Sequence, residues 1–253
     1  MIDLLLRLSR HEPRVRLETV RRDTLTDERI RDLHALSNRL ATEDLEHFAL
    51  HARTNELVHV FRRADTDEIV GFQFWQTMPL NRPRSRVAPA GKLRMAPEFR
   101  NRGLHLLSMV LFFLHNKVRH PFTRYYCTEL ASVLGFISVT EALAHYTVFD
   151  PDADDPQSRA MRASLLAEAA ESDFEVRDDG LFFVDIFLTA ETFALYPATF
   201  FDRPAAQVYA SVNPDFRTNG CYAAFWFRFT PRNVLSLSRR IARKLFGRRS
   251  GSR

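Results

Sequence analysis

The sequence predicts an α/β fold of the mixed (α+β) kind: a central mixed β-sheet with helices on both faces, extended at the C-terminal end by a further strand and helix. Three observations carry this. Residues 15–25 (VRLETVRRDTL) alternate Val15, Leu17 and Thr19 with Arg16 and Glu18 as a half-wet strand does, and two stretches at helical spacing follow: Ile30, Leu33, Leu36 and Leu40, then Leu45, Phe48 and Ala49. Leu57–Phe61 and Ile69–Trp75 flank a polar turn at Asp65–Asp67 and read as a hairpin. From Lys92 onward, strands and apolar helices alternate, which puts helices on both sides of a sheet.

The elements follow in order. Thr26, with Asp27 and Glu28 behind it, is a helix start: its oxygen can accept a free amide proton, and the acids sit in the positive first turn. Thr42 opens the second helix. Residues 81–89, with Pro83 and Pro89, are expected to be a loop. Lys92–Met95 is a short strand, Pro97–Gly103 a tight polar link, and Leu104–Val118 a helix apolar nearly all round, as a buried central helix is. Tyr125–Thr128 is a strand and Ala131–Leu143 a helix, closing a first unit at 1–150. Residues 150–157 (DPDADDPQ), acidic and holding two prolines, mark a boundary. Within 151–230, Ser158–Ser172 is an Ala-rich helix and Leu181–Leu188 a strand-like run. Phe193–Phe201 is irregular, Asp202 and Pro204 start a short helix, and Tyr222–Phe229 is a strong strand. Residues 231–253 begin with Thr230 as cap and Pro231 at the first helical position. That helix runs to about Phe246, and the basic tail after Gly247 is expected to be disordered.

Composition narrows the function. The chain has 253 residues, 45% of them hydrophobic and 26% charged, which excludes a disordered, collagen-like or coiled-coil chain. The net charge of +5 is unevenly spread: no acid follows Asp215, while ten Lys and Arg do, so the body before them is net negative. A nucleic-acid-binding domain carries its basic footprint on the fold, so nucleic acid is not the expected partner. Cys127 and Cys221 fit a reducing, cytoplasmic setting, with one bridge left open. Residues 1–8 lack a long apolar core and a cleavage site, so no signal peptide is expected. The most apolar stretch, 104–114, is half of what a membrane span needs.

The segment KLRMAPEFRNRGLH, residues 92–105, is the most informative. A strand ends, the chain turns through Arg100, Asn101, Arg102 and Gly103, and a buried helix begins. A helix N-terminus leaves about four N–H groups free and carries roughly half a positive charge. A glycine there admits a ligand close to the backbone, and arginines add bidentate donors. Together they form an anion site suited to a pyrophosphate; the alternative is a solvated, Arg-rich helix start.

On these residues the chain, over 15–150, resembles the GCN5-related N-acetyltransferase (GNAT) superfamily. That family's pyrophosphate loop runs Arg/Gln-x-x-Gly-x-Gly/Ala between strand four and helix three; Arg100, Gly103 and the preceding Pro97-Glu98-Phe99 fit it. His105 departs from it, standing where Gly or Ala is preferred. Ile69–Phe72 (IVGF) is similar to the family's third strand, and Tyr222–Phe229 to its last. The resemblance implies that acetyl-CoA, or a longer acyl-CoA, lies in a gap between strands four and five. The donor's pantetheine would pair with the backbone at Leu93, Arg94 and Met95, and its phosphates would sit over Arg100, Asn101, Arg102, Gly103, Leu104 and His105.

Acyl transfer to an amine needs a base for the amine proton and an acid for the leaving thiolate. The family often takes that acid from a Tyr in Asn-x-x-Ala-x-x-x-Tyr-x-x-x-Gly-Phe. Here Leu134-Gly135-Phe136 resembles the end of the pattern, but Ala131 stands where the Tyr would be and no Asn matches. Glu129 is the candidate base, or else a helix-start acid. Tyr126 is a further catalytic candidate, with Tyr125 and Tyr146 unranked beside it. Cys127 reads better as a small buried hydrophobe than as a nucleophile. His47 and His51 are four apart but lack a zinc-protease order, and read as surface histidines; no metal is expected.

Two aromatic runs, Phe182–Phe201 and Phe225–Phe229, read as a core extension or as an apolar pocket for an acyl chain or hydrophobic acceptor. The last helix places Val234, Leu237, Ile241 and Leu245 on one stripe, flanked by Arg239, Arg240, Arg243 and Lys244. It can lie on an anionic membrane, dock on its own domain, or meet an acidic acyl carrier protein. The functional expectation is an acyltransferase moving an acyl group from acyl-CoA, or a carrier-protein thioester, to an amine of a small-molecule or lipid-like acceptor. It would be cytoplasmic, with the inner face of a membrane as a peripheral location. The rival is a non-catalytic GNAT-like binding module held at a membrane or partner by its basic helix.

Overall fold

The computed structural model describes residue 9 and residues 11–246. The expectations for residues 1–8 and for the tail after Gly247 lie outside the described residues. The strands are β1 (Val15–Arg21), β2 (Ala41–Thr42), β3 (Leu57–Arg63), β4 (Ile69–Trp75), β5 (Met78–Pro79), β6 (Ser85–Met95), β7 (Arg124–Ala131), β8 (Thr147–Val148), β9 (Glu175–Val176), β10 (Phe182–Phe183), β11 (Phe187–Leu188) and β12 (Cys221–Arg228). The helices are α1 (Asp27–Asn38), α2 (Leu45–Thr54), α3 (Leu104–Arg119), α4 (Val133–Thr140), α5 (Pro156–Glu171), α6 (Ala190–Ala194), α7 (Pro204–Val212) and α8 (Pro231–Phe246).

One large sheet runs β1-β3-β4-β6-β7-β12-β10-β9, with β5 on β6 and β8 on β12. Every pair in it is antiparallel except β6–β7. Strand alternation divides the core. Phe72 and Phe74 face α1 and α2, where they meet Phe48, Leu33 and Leu36. Trp75 faces α3 instead, stacking on Phe112 and donating its indole N–H to Ser108 Oγ at 2.8 Å. A third layer, α5, covers Tyr126 and Trp226 on the α1 side. The mixed sheet covered on both faces is thus as expected.

Local corrections follow from turn chemistry. The second helix begins at Leu45, capped by Asp44, whose carboxylate accepts the N–H groups of Glu46 and His47. Thr42 belongs to β2. Residues 85–89 are strand, although a loop was expected. Pro89 is tolerated because it stands where β6 leaves β7 and passes to β4, so its missing N–H falls at the break in the ladder. Residue 131 ends β7, and Ser132 caps α4. The 181–188 run splits into β10 and β11 at Asp185, which adopts φ +50°.

The C-terminal residues are not an appendage. β12 lies inside the sheet, between β7 and β10. α8 is pinned by Asn233, 1% exposed, which accepts the N–H groups of Ala144 and His145 and donates to the carbonyls of His145 and Arg228, all at 2.9 Å. Leu237, Ile241 and Leu245 then bury against the core shared by α3 and α4. The stripe that a membrane surface would need is therefore occupied by the protein itself. Among the described residues, no helix is long and apolar enough to cross a membrane.

Phe225 and Phe227 fill that core and Phe182 a neighbouring one with Leu165 and Val184, each at most 1% exposed. Phe193, Phe201 and Phe216 instead surround the Arg217 guanidinium. Cys127 and Cys221 are unbridged, and burial raises the Cys127 thiol well above its ordinary value, so it stays a protonated core residue.

Candidate active site

The β6–β7 pair is parallel from Ser85–Arg124 to Pro89–Thr128, and then stops. Just beyond, β6 bulges at Gly91 and Lys92, where the register against β4 shifts between Gln73 and Trp75. Gly91 is required there: an added Cβ would lie 2.8 Å from both Phe74 Cβ and Asn55 Oδ1. A bulge bends its strand, and this one parts β6 from β7. A cavity of about 240 Å³ fills the opening, lined by residues 90–95 of β6 and 129–131 of β7. The strand gap implied by the resemblance is therefore present. The β6 edge at Leu93, Arg94 and Met95 pairs with β4 on one side only, leaving its other side without a strand partner.

At one end of the cavity is the turn into α3. Asn101 and Gly103 both adopt positive φ, +61° and +78°, which aims the turn back over the helix start. No side chain caps that terminus, so its first N–H groups remain free. Arg100, Asn101, Leu104 and His105 line the cavity. Arg100 Nε donates to the Met95 carbonyl at 3.1 Å, while its buried Nη1 has no hydrogen-bond partner. His105 is hydrogen-bonded to Ser138 Oγ at 2.9 Å, and burial pushes its pKa down to about 3, leaving a neutral imidazole.

Arg102 departs from expectation. Its guanidinium stacks on Phe99 and donates to the carbonyls of Glu12, Pro13 and Glu98, which clips the turn to the N-terminal segment. It is 5% exposed and turned away from the cavity. A sequence reading treats both arginines of the turn alike; only the carbonyls around Arg102 separate them.

The other end holds carboxylates. Glu129 is 7% exposed, and burial, with the Glu168 charge beside it, raises its pKa to about 8. Glu168 comes from α5, accepts a hydrogen bond from Thr128 Oγ1 at 3.4 Å, and is also raised to about 8 by burial. Tyr126 does not join them. It packs with Trp226, Val87 and Met161, away from the cavity. Tyr126 lies in the stretch where β6 and β7 are still paired, opposite Val87, three residues before the gap opens at Glu129.

Several wall residues were missed by sequence reasoning. Tyr222 of β12 faces the cavity, and burial raises its pKa. Lys92 is tied to Glu43, whose carboxylate also meets His47 at 3.3 Å and Arg94 at 3.8 Å. His51 is not a surface residue: it lines the cavity, and burial lowers its pKa to about 4. Leu40, Phe174, Val184, Ile186 and Leu188 form the apolar wall. Among the described residues, no group of three or more His, Cys, Asp or Glu side chains is placed to hold a metal.

The fold and cavity together define a mixed-sheet α/β protein whose central strands part beside an uncapped helix start. No family model and no curated protein sequence matches the chain. Among solved structures it is similar to an aminoglycoside acetyltransferase from an uncultured soil metagenomic sample, in complex with sisomicin, at 14% identity and TM-score 0.38, covering 50% of this chain and 83% of that one. A Trypanosoma brucei acetyltransferase is similar at 16% identity and TM-score 0.35, covering 49% and 87%. The glucosamine N-acetyltransferase region of a fungal multi-domain GH3 β-N-acetylglucosaminidase is similar at 16% and 0.37, covering 68% of this chain and 18% of that one.

Proposed function

We propose that the protein is an acyltransferase that moves an acyl group from an acyl-CoA-type thioester to an amine. The observation that carries this is the opened β6–β7 gap, with an uncapped helix terminus and unpartnered Arg100 Nη1 at one end and buried Glu129 at the other. The donor's pantetheine arm lies along the Leu93–Met95 edge that has no strand partner, and its phosphates lie over Arg100, Asn101, Leu104 and His105. Glu129, once ionised, takes a proton from the acceptor ammonium. The freed nitrogen attacks the thioester carbonyl, the C–S bond breaks, the nitrogen sheds its second proton to solvent, and the departing sulfur takes a proton. Tyr222, kept protonated by burial and facing the same cavity, is the donor assigned to that last proton. The apolar wall at Phe174, Val184 and Ile186 accommodates the acyl chain or the apolar part of a small-molecule or lipid-like acceptor.

The test is native mass spectrometry against an acyl-CoA ladder from acetyl to palmitoyl, followed by a thiol-release assay with an amine panel. Binding of at least one donor and amine-dependent thiol release are expected. The release should fall about 10²–10⁴-fold in Glu129→Gln with donor binding retained. Absence of binding across the ladder overturns the reading.

A further inference from the structure

The phosphate end of the cavity has a second wall that the α3 turn does not supply. α8 crosses the start of α3 so closely that a Cβ on Gly103 would lie 3.1 Å from Lys244 Cβ and 3.9 Å from Ile241 Cα. Arg240 and Lys244 line the cavity from this side, and Arg203, just before α7, joins them. The charges are poorly balanced. Arg203 and Arg240 share one carboxylate, Glu141, at 3.4 and 2.9 Å. Arg240 Nε is buried without a hydrogen-bond partner, as is Arg100 Nη1 across the cavity. The Lys244 ammonium is half-buried and makes no hydrogen bond or ion pair among the described residues. Four cations face one carboxylate, beside a helix terminus that is itself positive. Buried charge is costly unless something pairs it, so the arrangement calls for a strongly anionic occupant.

We propose that α8 carries half of the donor's phosphate site: Lys244, with Arg203 and Arg240, closes over the α3 turn and Arg100, and selects a free nucleotide-type thioester bearing several phosphates over a carrier-linked phosphopantetheine. This rests on the thioester reading above. The charges favour it. A pyrophosphate with a separate phosphate monoester presents about four negative charges, the monoester alone contributing close to two, whereas a carrier-linked arm holds a single phosphodiester. The basic residues of the last helix that face inward thus belong to the donor site.

The test is calorimetric titration of the full chain with CoA, dephospho-CoA, pantetheine and a holo acyl carrier protein. Wild type, Lys244→Met and Lys244→Arg are compared, the Met variant keeping the stem that packs against Gly103. Wild type is expected to bind CoA more tightly than dephospho-CoA, and both more tightly than the carrier protein. Lys244→Met should weaken CoA binding about tenfold or more while leaving pantetheine binding unchanged, and Lys244→Arg should restore it. Equal CoA affinity in Lys244→Met and wild type overturns the inference. So does an equal loss for pantetheine, which would make Lys244 a packing residue. Tighter binding of the carrier protein than of CoA overturns it while leaving the thioester reading intact. A wild type that binds none of the four overturns both.

Discussion

Gly103 and Lys244, separated by most of the chain, touch at the mouth of the cavity: the left-handed glycine that starts α3 is the surface on which the last helix rests. Gly103→Ala therefore meets two penalties. A left-handed L-residue costs about 1–2 kcal/mol, and the new methyl pushes at Lys244. A lower melting temperature and weaker CoA binding are both expected, read by calorimetry. A variant that melts lower but binds CoA normally would show that α8 can shift without disturbing the phosphate end.

The two arginines of the turn should separate cleanly. Arg100→Ala removes a cavity cation and is expected to weaken CoA binding about tenfold with little change in melting. Arg102→Ala removes a buried guanidinium bonded to three backbone carbonyls, each such bond contributing about 1.5–3 kcal/mol. It should lower stability sharply. Thermal melts and CoA titrations of the pair decide, and a reversed pattern would interchange the two roles.

Acyl transfer should speed up with pH. Glu129 is raised to about 8, so the basic carboxylate grows in population from pH 7 to 9. Glu168→Gln removes a neighbouring negative charge, which moves this limb to lower pH. Stability runs the opposite way. Folded Glu129 and Glu168 keep their protons up to about pH 8, while unfolded carboxyls lose theirs near 4.5. Their contribution is full below that lower value and is lost as pH rises through about 8. Melting temperature should fall from pH 6.5 to 8.5, and fall less in Glu168→Gln. A pH-independent rate in the wild type would remove Glu129 as the base.

The Lys92–Glu43 pair is a buried hub whose two side chains are 3% and 1% exposed. Lys92→Met leaves the Glu43 carboxylate with Arg94, His47 and the Ser37 hydroxyl, and breaking a buried pair this way costs about 3–5 kcal/mol. Urea denaturation should show a lower midpoint. A midpoint like the wild type's would mean that Arg94 and His47 balance Glu43 unaided.

What the sequence made legible was local. The helical spacing of α1 and α3, the hairpin strands β3 and β4, and the turn from Arg100 to Gly103 all carry their pattern within a dozen residues. β6 was read short because Pro83 and Pro89 look like loop residues, and nothing nearby tells that Pro89 sits at a break in the ladder. Tyr126 reads as a site residue because nothing local tells that β6 and β7 stay paired until Thr128 and part only beyond it. Glu168, Tyr222, Arg203 and Lys244 reach the cavity from α5, β12, the start of α7 and α8. Only tertiary closure assembles them, and no spacing in the sequence reports it.

The place of β12 in the middle of the sheet has a consequence for how the protein is made. A ribosome releases residues 1–150 long before Cys221–Arg228 exist, so β7 waits with an open edge, and the sheet cannot be completed until β12 has emerged. Loop closure over such a distance is slow. The nascent chain thus passes through a stage in which a chaperone, or another unfinished copy, can occupy the slot later filled by β12. Lys244 arrives later still, so a donor molecule meets the complete binding site only after α8 has been made and docked.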